Sequence, residues 1–139
     1  MIEAPILEKI YVTRYLDENP DLSFLNQDYF NDDPKYPSCT QEENEKYKAE
    51  DADRLRRYEA GYWYSLGVGA KAYINTPLGN MVVQAELDTG VTFGIASDDS
   101  EGIDMYYEEK SQEIISQCLD NKIRISPYLE IIINEDLVQ

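Results

Sequence analysis

The sequence predicts an α+β fold, in which an antiparallel meander of three to four strands carries two to three packed helices. Two segments with helix-capping signals lie on either side of a segment in which apolar residues recur at every second position. Acidic residues are concentrated outside that alternating segment. At 139 residues, we expect a single domain over 1–139, with a long acidic loop at 16–39 and a C-terminal extension at 122–139.

The strands are predicted from alternation and from β-branched residues. Residues 6–15, ILEKIYVTRY, are rich in β-branched and aromatic side chains and predict a strand that pairs at the edge of the meander. Apolar side chains alternate over residues 62–74. Two further strands are expected at 81–88 and 91–96, with the TPLGN segment and Thr89-Gly90 as the two turns.

The first helix is predicted from its two ends. TQEE at 40–43 fits a capping box, in which the Thr40 hydroxyl accepts from an early backbone N–H and Glu43 reaches back. We expect this helix to continue to about Ala60 and to end with Gly61 as its C′ residue. Its apolar stripe is thin, so most of the helix should face water.

The second helix follows the acidic stretch GIASDDSEGIDMYYEE. Asp98 and Glu101 have the spacing of a capping box, and Ser97 or Ser100 are alternative caps. Apolar residues then recur at helical spacing as far as Cys118. The helix dipole accounts for about two of the acids at its start, but not for the acids that continue along the exposed face.

The C-terminal segment KIRISPYLEIIINEDLVQ fits two patterns. Ser126-Pro127 is typical of a helix N-cap followed by proline at the first helical position. The β-branched run at 131–133 favours a strand instead. We favour a helix over residues 127–137 and keep the strand as the alternative.

The charge of the chain is strongly negative and unevenly distributed. The net charge is −16, of which residues 16–53 carry −9 and residues 98–113 carry −6. Such a charge repels nucleic acid and anionic lipid and favours basic partners. We therefore expect no direct binding of nucleic acid or membrane, and we expect a partner that is itself a basic nucleic-acid-binding protein.

Three absences narrow the possible chemistry and location of the protein. The chain contains no histidine, which excludes Ser-His-Asp and Cys-His nucleophilic systems and removes the commonest zinc ligand. No apolar run of about 18 residues predicts a membrane span, and the N-terminus lacks signal-peptide features. We expect a cytoplasmic protein, in which Cys39 and Cys118 are reduced, buried thiols.

Three short motifs suggest chemistry without the context that it requires. GVGAKA at 67–72 matches a dinucleotide fingerprint, but the alternating pattern continues through both glycines instead of opening a helix. We interpret these glycines as a smooth strip on which a helix packs. DDSE at 98–101 and NDDP at 31–34 lack the ligand order of a calcium loop. No activated nucleophile is visible, so we expect no enzymatic activity, no metal and no cofactor.

The acids of the two predicted helices are the candidate partner-binding residues, because capping does not account for their number. Tyr106 joins them, since tyrosine beside carboxylates offers apolar area with a polar tip at an interface. The candidates are Glu42, Glu43, Glu45, Glu50 and Asp53 in the first segment, and Asp98, Asp99, Glu101, Asp104, Tyr106, Glu108, Glu109 and Glu113 in the second.

Three segments also carry a resemblance to a known group. DLSFL at 21–25, RLRRYEAGYWYSLGVGAKA at 54–72 and GVTFGIASDDSEG at 90–102 occur in this order. They resemble small acidic proteins of phages and other mobile elements, in which an Asp-x-Ser-Tyr-Leu segment, a tryptophan-bearing strand ending G-[IV]-x-A-x-A and a GLWGI-x-SD segment precede an acidic helix. The resemblance covers roughly residues 20–119. It departs at 91–93, where the group has Gly-Leu-Trp, and beyond Asn121.

The resemblance implies a mobile-element context and no assigned enzymatic activity. With the acidity, it favours an inhibitor of a host defence nucleoprotein, most specifically an anti-CRISPR protein whose acidic helices mimic DNA phosphates in a basic channel. The alternative is a non-enzymatic adaptor or structural binding module of a mobile element, since acidic surfaces also serve solubility. An apolar and aromatic surface patch would indicate the adaptor, and a concave pocket with converging carboxylates would indicate an enzyme.

Overall fold

The computed structural model describes residues 5–26 and 40–139, which fall into two compact units. The first unit contains the chain up to Glu18 together with Ser65–Gln139, and the second contains Asn19–Tyr64. Most of the predicted acidic loop, including Cys39 and the NDDP motif, lies outside the described residues. None of the described helices is both long and apolar enough to cross a membrane.

The first unit is an α+β structure built on one sheet, as the sequence predicts. Its strands are β1 (Ile6–Leu16), β2 (Ser65–Leu78), β3 (Met81–Ala96) and β4 (Arg124–Val138), and the helix α2 (Ser100–Asp120) connects β3 to β4. The strand order in the sheet is β3-β2-β1-β4. β2 pairs antiparallel with β1 and with β3, whereas β4 pairs parallel with β1.

The prediction of an antiparallel meander is therefore wrong in one respect, because the sheet is mixed. β1 pairs antiparallel with β2 beside the β2–β3 hairpin, as expected, but β4 then pairs parallel with its other side. The chain leaves β3 at one edge of the sheet, and β4 joins the opposite edge in the same direction as β3. A parallel connection of this kind needs a long crossover, which α2 supplies.

The C-terminal segment is a strand and not the expected helix. Ile131, Ile132 and Ile133 lie opposite Ile10, Tyr11 and Val12 of β1. The Ser126-Pro127 pattern marks the irregular beginning of the strand, where the register shifts between Ile125 and Glu130. A β-branched segment beside an unsatisfied strand edge gains a full hydrogen-bond ladder, and this outweighs the local capping signal.

The predicted turn at Thr89-Gly90 is a bulge within β3, so that residues 81–88 and 91–96 form one strand. Gly90 has a positive φ of 72°, a conformation that glycine adopts readily. The register shifts at this point, and the backbone N–H of Ala70 donates to the Thr89 hydroxyl at 3.0 Å. The threonine side chain thereby satisfies a ladder donor that the bulge leaves without a backbone acceptor.

The hydrophobic core lies between the sheet and α2. The alternating side chains from Leu66 to Ile74 of β2 are buried, as predicted, and Leu7, Ile10 and Val12 of β1 join them. α2 contributes a buried apolar stripe at helical spacing: Ile103, Tyr107, Ile114 and Cys118. Leu129 and Leu137 of β4 pack against the margin of this core.

Gly67 and Gly69 do not form the predicted strip for a helix. A Cβ at Gly67 would come within 2.6 Å of the Val91 and Phe93 side chains, and one at Gly69 would come within 2.8 Å of the Gly90 carbonyl oxygen. The glycines therefore permit close approach of β3, including its bulge, to β2.

The second unit contains a 3₁₀ helix, Ser23–Asn26, and the helix α1, Gln41–Glu59. The predicted capping box of Thr40 and Glu43 is confirmed, and Ala60 is the C-cap with Gly61 at a φ of 81°. Trp63 folds back on α1, since its indole N–H donates to the Arg54 carbonyl at 2.9 Å. The Arg54 guanidinium lies 4.0 Å from the centroid of the indole ring, a cation–π geometry.

We predict that Thr89→Val destabilises the protein by about 1–3 kcal/mol, because it leaves the Ala70 N–H buried without an acceptor. Chemical denaturation measures the free energy of unfolding. Thr92→Val is the matched control, since the Thr92 hydroxyl makes no hydrogen bond to any described residue. Equal stability of the two variants would contradict the role of Thr89 in the bulge.

We predict that Gly69→Ala is more destabilising than Gly67→Ala, and costs about 1–3 kcal/mol as an overpacked site. The new methyl group meets a backbone carbonyl at Gly69, whereas at Gly67 it meets the side chains of Val91 and Phe93, which are 37% and 50% exposed and can move aside more easily than backbone. Thermal and chemical denaturation of both variants test the order, and the reverse order would show that β3 shifts more easily than its side chains.

Candidate partner-binding surface

The candidate site is built on α2, whose start is fixed by one of the predicted acids. Asp99 is the N-cap, and its carboxylate accepts from the Gly102 N–H at 3.0 Å. The prediction of Asp98 as the cap is wrong by one residue. Both Asp98 and Asp99 are exposed, but Asp99 serves to hold the helix terminus. Gly102 accommodates this contact, because a Cβ there would lie 2.3 Å from the Asp99 carboxylate.

The remaining acids of α2 form two rows along the helix. Glu101, Asp104 and Glu108 follow one another at spacings of three and four residues, and all three are exposed. Glu109, Glu113 and Asp120 lie on the other flank, where they line one shallow depression with Gln112 and Ser116. The two rows flank the buried stripe of α2, which faces the sheet. The packing of the helix on the sheet therefore separates them.

Most of these carboxylates form no ion pair with a described residue. Glu113 lies 3.6 Å from the ammonium group of Lys110, whose side chain is only 5% exposed. Glu101, Asp104, Glu108 and Glu109 form no ion pair with any lysine or arginine in residues 5–26 and 40–139. Over its length, α2 carries six acidic side chains and one basic side chain, a net charge of −5. The charge of this face is thus uncompensated within the described chain.

Tyr106, the aromatic candidate, is partly buried and packs against the core. Its neighbour Tyr107 is 7% exposed, and the Tyr107 hydroxyl accepts from the Nε of Arg14 on β1. The guanidinium also lies 5.6 Å from the centroid of the Tyr107 ring. Both tyrosines therefore anchor α2 to the sheet, and its exposed side carries the acids together with Met105 and Leu119, which are 59% and 61% exposed.

A groove runs between α2 and β4, with a volume of about 350 Å³. Its floor includes Ile131 and Ile133 of β4, which are 48% and 41% exposed. Asp104 and Glu108 lie on the helix side of the groove. The lining also includes Tyr107, Ser111 and Gln112, and none of the described residues that line it is a lysine or arginine.

The candidates on α1 have a different environment. Glu43 belongs to the capping box, and Asp53 forms ion pairs with Arg56 and, at 3.1 Å, with Arg57. Glu42, Glu45 and Glu50 are exposed. α1 carries seven acidic and five basic side chains, a net charge of −2. The two helices thus resemble each other in the number of acids but not in charge.

The capping box shifts one pKa. The backbone N–H of Thr40 donates to the Glu43 carboxylate at 3.2 Å, and the Glu43 N–H donates to the Thr40 hydroxyl at 3.1 Å. The hydrogen bonds from the Thr40 backbone, and then from its side chain, hold the pKa of Glu43 below its usual value.

The chemistry of metals and thiols has little support among the described residues. No group of three or more histidine, cysteine, aspartate or glutamate side chains in this part of the chain is placed to hold a metal ion. Cys118 is a buried free cysteine, as predicted, and burial raises the pKa of its thiol. A raised pKa lowers the reactivity of a thiol, which is consistent with a packing role.

The contribution of β4 to this surface could not be predicted from the local sequence. The exposed isoleucines became candidates only when the strand pairing placed them beside α2. The signal was the β-branched run at 131–133, which in isolation also fits a buried segment.

Comparison of the chain with protein-family models, with curated proteins and with solved structures gives no match.

We predict that the contribution of Glu43 to the stability of α1 depends on pH. Because its folded pKa is lowered, the contribution is fully present above the unfolded pKa of about 4.3 and is lost as pH falls through the lower folded value. Amide exchange of the first turn of α1 measures this loss. Glu43→Gln is the control, since glutamine keeps the capping geometry without titrating; the same pH response in both proteins would contradict the prediction.

Proposed function

We propose that the protein inhibits a host defence nucleoprotein, most specifically a CRISPR effector, by presenting α2 to a basic nucleic-acid channel. The observation that carries the proposal is the row of uncompensated, exposed carboxylates on a helix anchored to the sheet. The sequence resemblance implies a mobile-element context, and we place the protein in the cytoplasm of the bacterial host.

The spacing of these carboxylates supports phosphate mimicry. Glu101, Asp104 and Glu108 recur at about 4.5 and 6 Å along the axis, because a helix rises about 1.5 Å per residue. One strand of DNA carries a charge every 3.4 Å or so. The helix therefore offers a charge density of the same order, on a rigid support that requires little ordering when a partner binds.

The charge balance favours α2 over α1 as the main contact. The helix α2 has a net charge of −5 over its length, whereas α1 has arginines and lysines between its acids and a net charge of −2. We retain Glu42, Glu45 and Glu50 as secondary candidates, because they are exposed.

The second candidate function is an adaptor module, and exposed apolar side chains favour it. Leu78, Met81 and Val82 at the end of the β2–β3 hairpin are 57–66% exposed. On the face of the sheet opposite α2, Tyr11 and Tyr73 pair at 6.1 Å between ring centroids and are each more than one-third exposed. Surfaces of this kind are typical of protein interfaces.

We predict that the triple charge reversal Asp104→Lys, Glu108→Lys and Glu109→Lys weakens binding to a target effector at least a hundredfold or so, since like charges facing each other cost several kcal/mol. The measurement is binding to a panel of purified CRISPR effectors at low and high salt, with target DNA as competitor. In the wild type, we expect capture of one effector that salt weakens and DNA displaces.

The matched control is Glu42→Lys, Glu45→Lys and Glu50→Lys, which changes the net charge equally on the other helix. Circular dichroism verifies that both variants fold. If the α2 variant binds as tightly as the wild type, the mimicry proposal is wrong. If the protein captures a partner equally well at high salt and with competing DNA, and the variant Met81→Lys/Val82→Lys does not, the result would support the adaptor instead.

A further inference from the structure

β4 is an edge strand whose central residues are exposed, apolar and β-branched. Its partner β1 occupies one side, and no described strand pairs with the other side. Ile131, Ile132 and Ile133 are 37–48% exposed. Exposed β-branched edges are templates for another strand, and proteins usually protect them with charges, prolines or bulges.

Such protective features border the edge but leave its centre open. Towards the N-terminal end of β4, Pro127 and the register shift before Glu130 interrupt the pairing. Towards the C-terminal end, the register shifts again after Asn134, whose side chain accepts from the Asp136 N–H at 3.1 Å. The regular segment between them is Glu130–Asn134, long enough to pair with a short extended peptide.

The same segment forms the apolar side of the groove beside α2. Ile131 and Ile133 share the α2 face with Ile10 and Val12, their register partners on β1, whereas Ile132 shares the opposite face with Tyr11. A strand added to β4 would therefore direct every second side chain into the groove. There it would meet first the isoleucines and then the carboxylates of Asp104 and Glu108.

We propose that this groove docks an extended segment of a partner protein that carries lysine or arginine at alternate positions and joins β4 as a fifth strand. Long basic side chains suit both parts of the groove, since the aliphatic stem covers apolar surface while the cation reaches the acids. Main-chain hydrogen bonds to the edge supply affinity, and the groove supplies specificity. The basic character of the partner rests on the proposed function, and the extended segment adds to it.

Charge disfavours a second copy of this chain as the occupant. Its own β4 carries Glu130, Glu135 and Asp136 around the isoleucines, and it would bring these acids towards Asp104 and Glu108. Nucleic acid is disfavoured in the same way, because its phosphates would meet the same carboxylates.

The test uses the full chain and a fluorescein-labelled heptapeptide, Arg-Val-Arg-Val-Arg-Val-Arg, acetylated and amidated at its ends. A second peptide has the same sequence with N-methyl groups at its interior residues, so that it keeps the charge but cannot pair as a strand. We expect fluorescence anisotropy to show that N-methylation weakens binding about tenfold, since it removes main-chain hydrogen bonds to the edge of β4. Equal binding of the two peptides would overturn strand addition.

Two pairs of variants locate the site. Asp104→Asn/Glu108→Gln should weaken binding about fivefold, as expected for two partly screened ion pairs, whereas Glu101→Gln/Glu109→Gln, with the same change in charge, should have little effect. Ile131→Lys places a cation in the groove and should abolish binding. Ile132→Lys, on the opposite face, is its control. Equal effects within either pair would show attraction by net charge alone and overturn the assignment to the groove.

The outcome separates this inference from the function on which it rests. If the heptapeptide fails to bind while reversal of the α2 charges still abolishes capture of an effector, the groove is wrong and the inhibitor stands. If the heptapeptide binds in the groove as described while no effector is captured, the docking site stands and the inhibitor is wrong.

Discussion

The packing of α2 on one face of the sheet is the constraint on which the rest of the first unit depends. This helix supplies the buried stripe that completes the core, and Arg14 fastens it to β1 through the ring and hydroxyl of Tyr107. Because burial of the stripe fixes the rotation of the helix about its axis, it also fixes the direction in which each exposed side chain leaves the helix. The arrangement of acids in two rows is thus a consequence of apolar packing, and not of any attraction between the acids, which repel one another.

The path of α2 also determines the sheet. By crossing from the β3 edge to the opposite edge, it delivers the next segment alongside β1 in a parallel orientation. That pairing brings the isoleucines of β4 next to the helix and creates the groove. The charged helix and the exposed strand edge are therefore products of one connection, which explains why they lie side by side.

Structural features that depend on neighbouring residues were predicted well from the sequence, whereas features that depend on pairing between distant segments were not. The Thr40–Glu43 capping box, the ends of α1 and the buried alternation of β2 depend on residues close in the chain, and all were predictable. The second cap was misplaced by one residue, because Asp98 has the capping-box spacing to Glu101, whereas the N-cap Asp99 accepts from the Gly102 N–H and has no acid three residues later. The C-terminal strand depends on its pairing with β1, more than a hundred residues away in the chain. The bulge at Thr89 and the role of Gly67 and Gly69 depend on the pairing of β2 with β3. The acids of α2 could be named from helical periodicity, whereas the groove required the position of β4.

The parallel pairing of β1 with β4 has a consequence for biosynthesis. β1 is complete within the first sixteen residues, yet one of its two edges stays open until residues 124–138 have been made. Contacts of such long range slow folding, and an open apolar edge invites wrong partners in the meantime. One edge of Ile6–Leu16 therefore stays unpaired while most of the protein is synthesised. The strong negative charge of the intervening sequence helps to keep neighbouring chains apart during that interval.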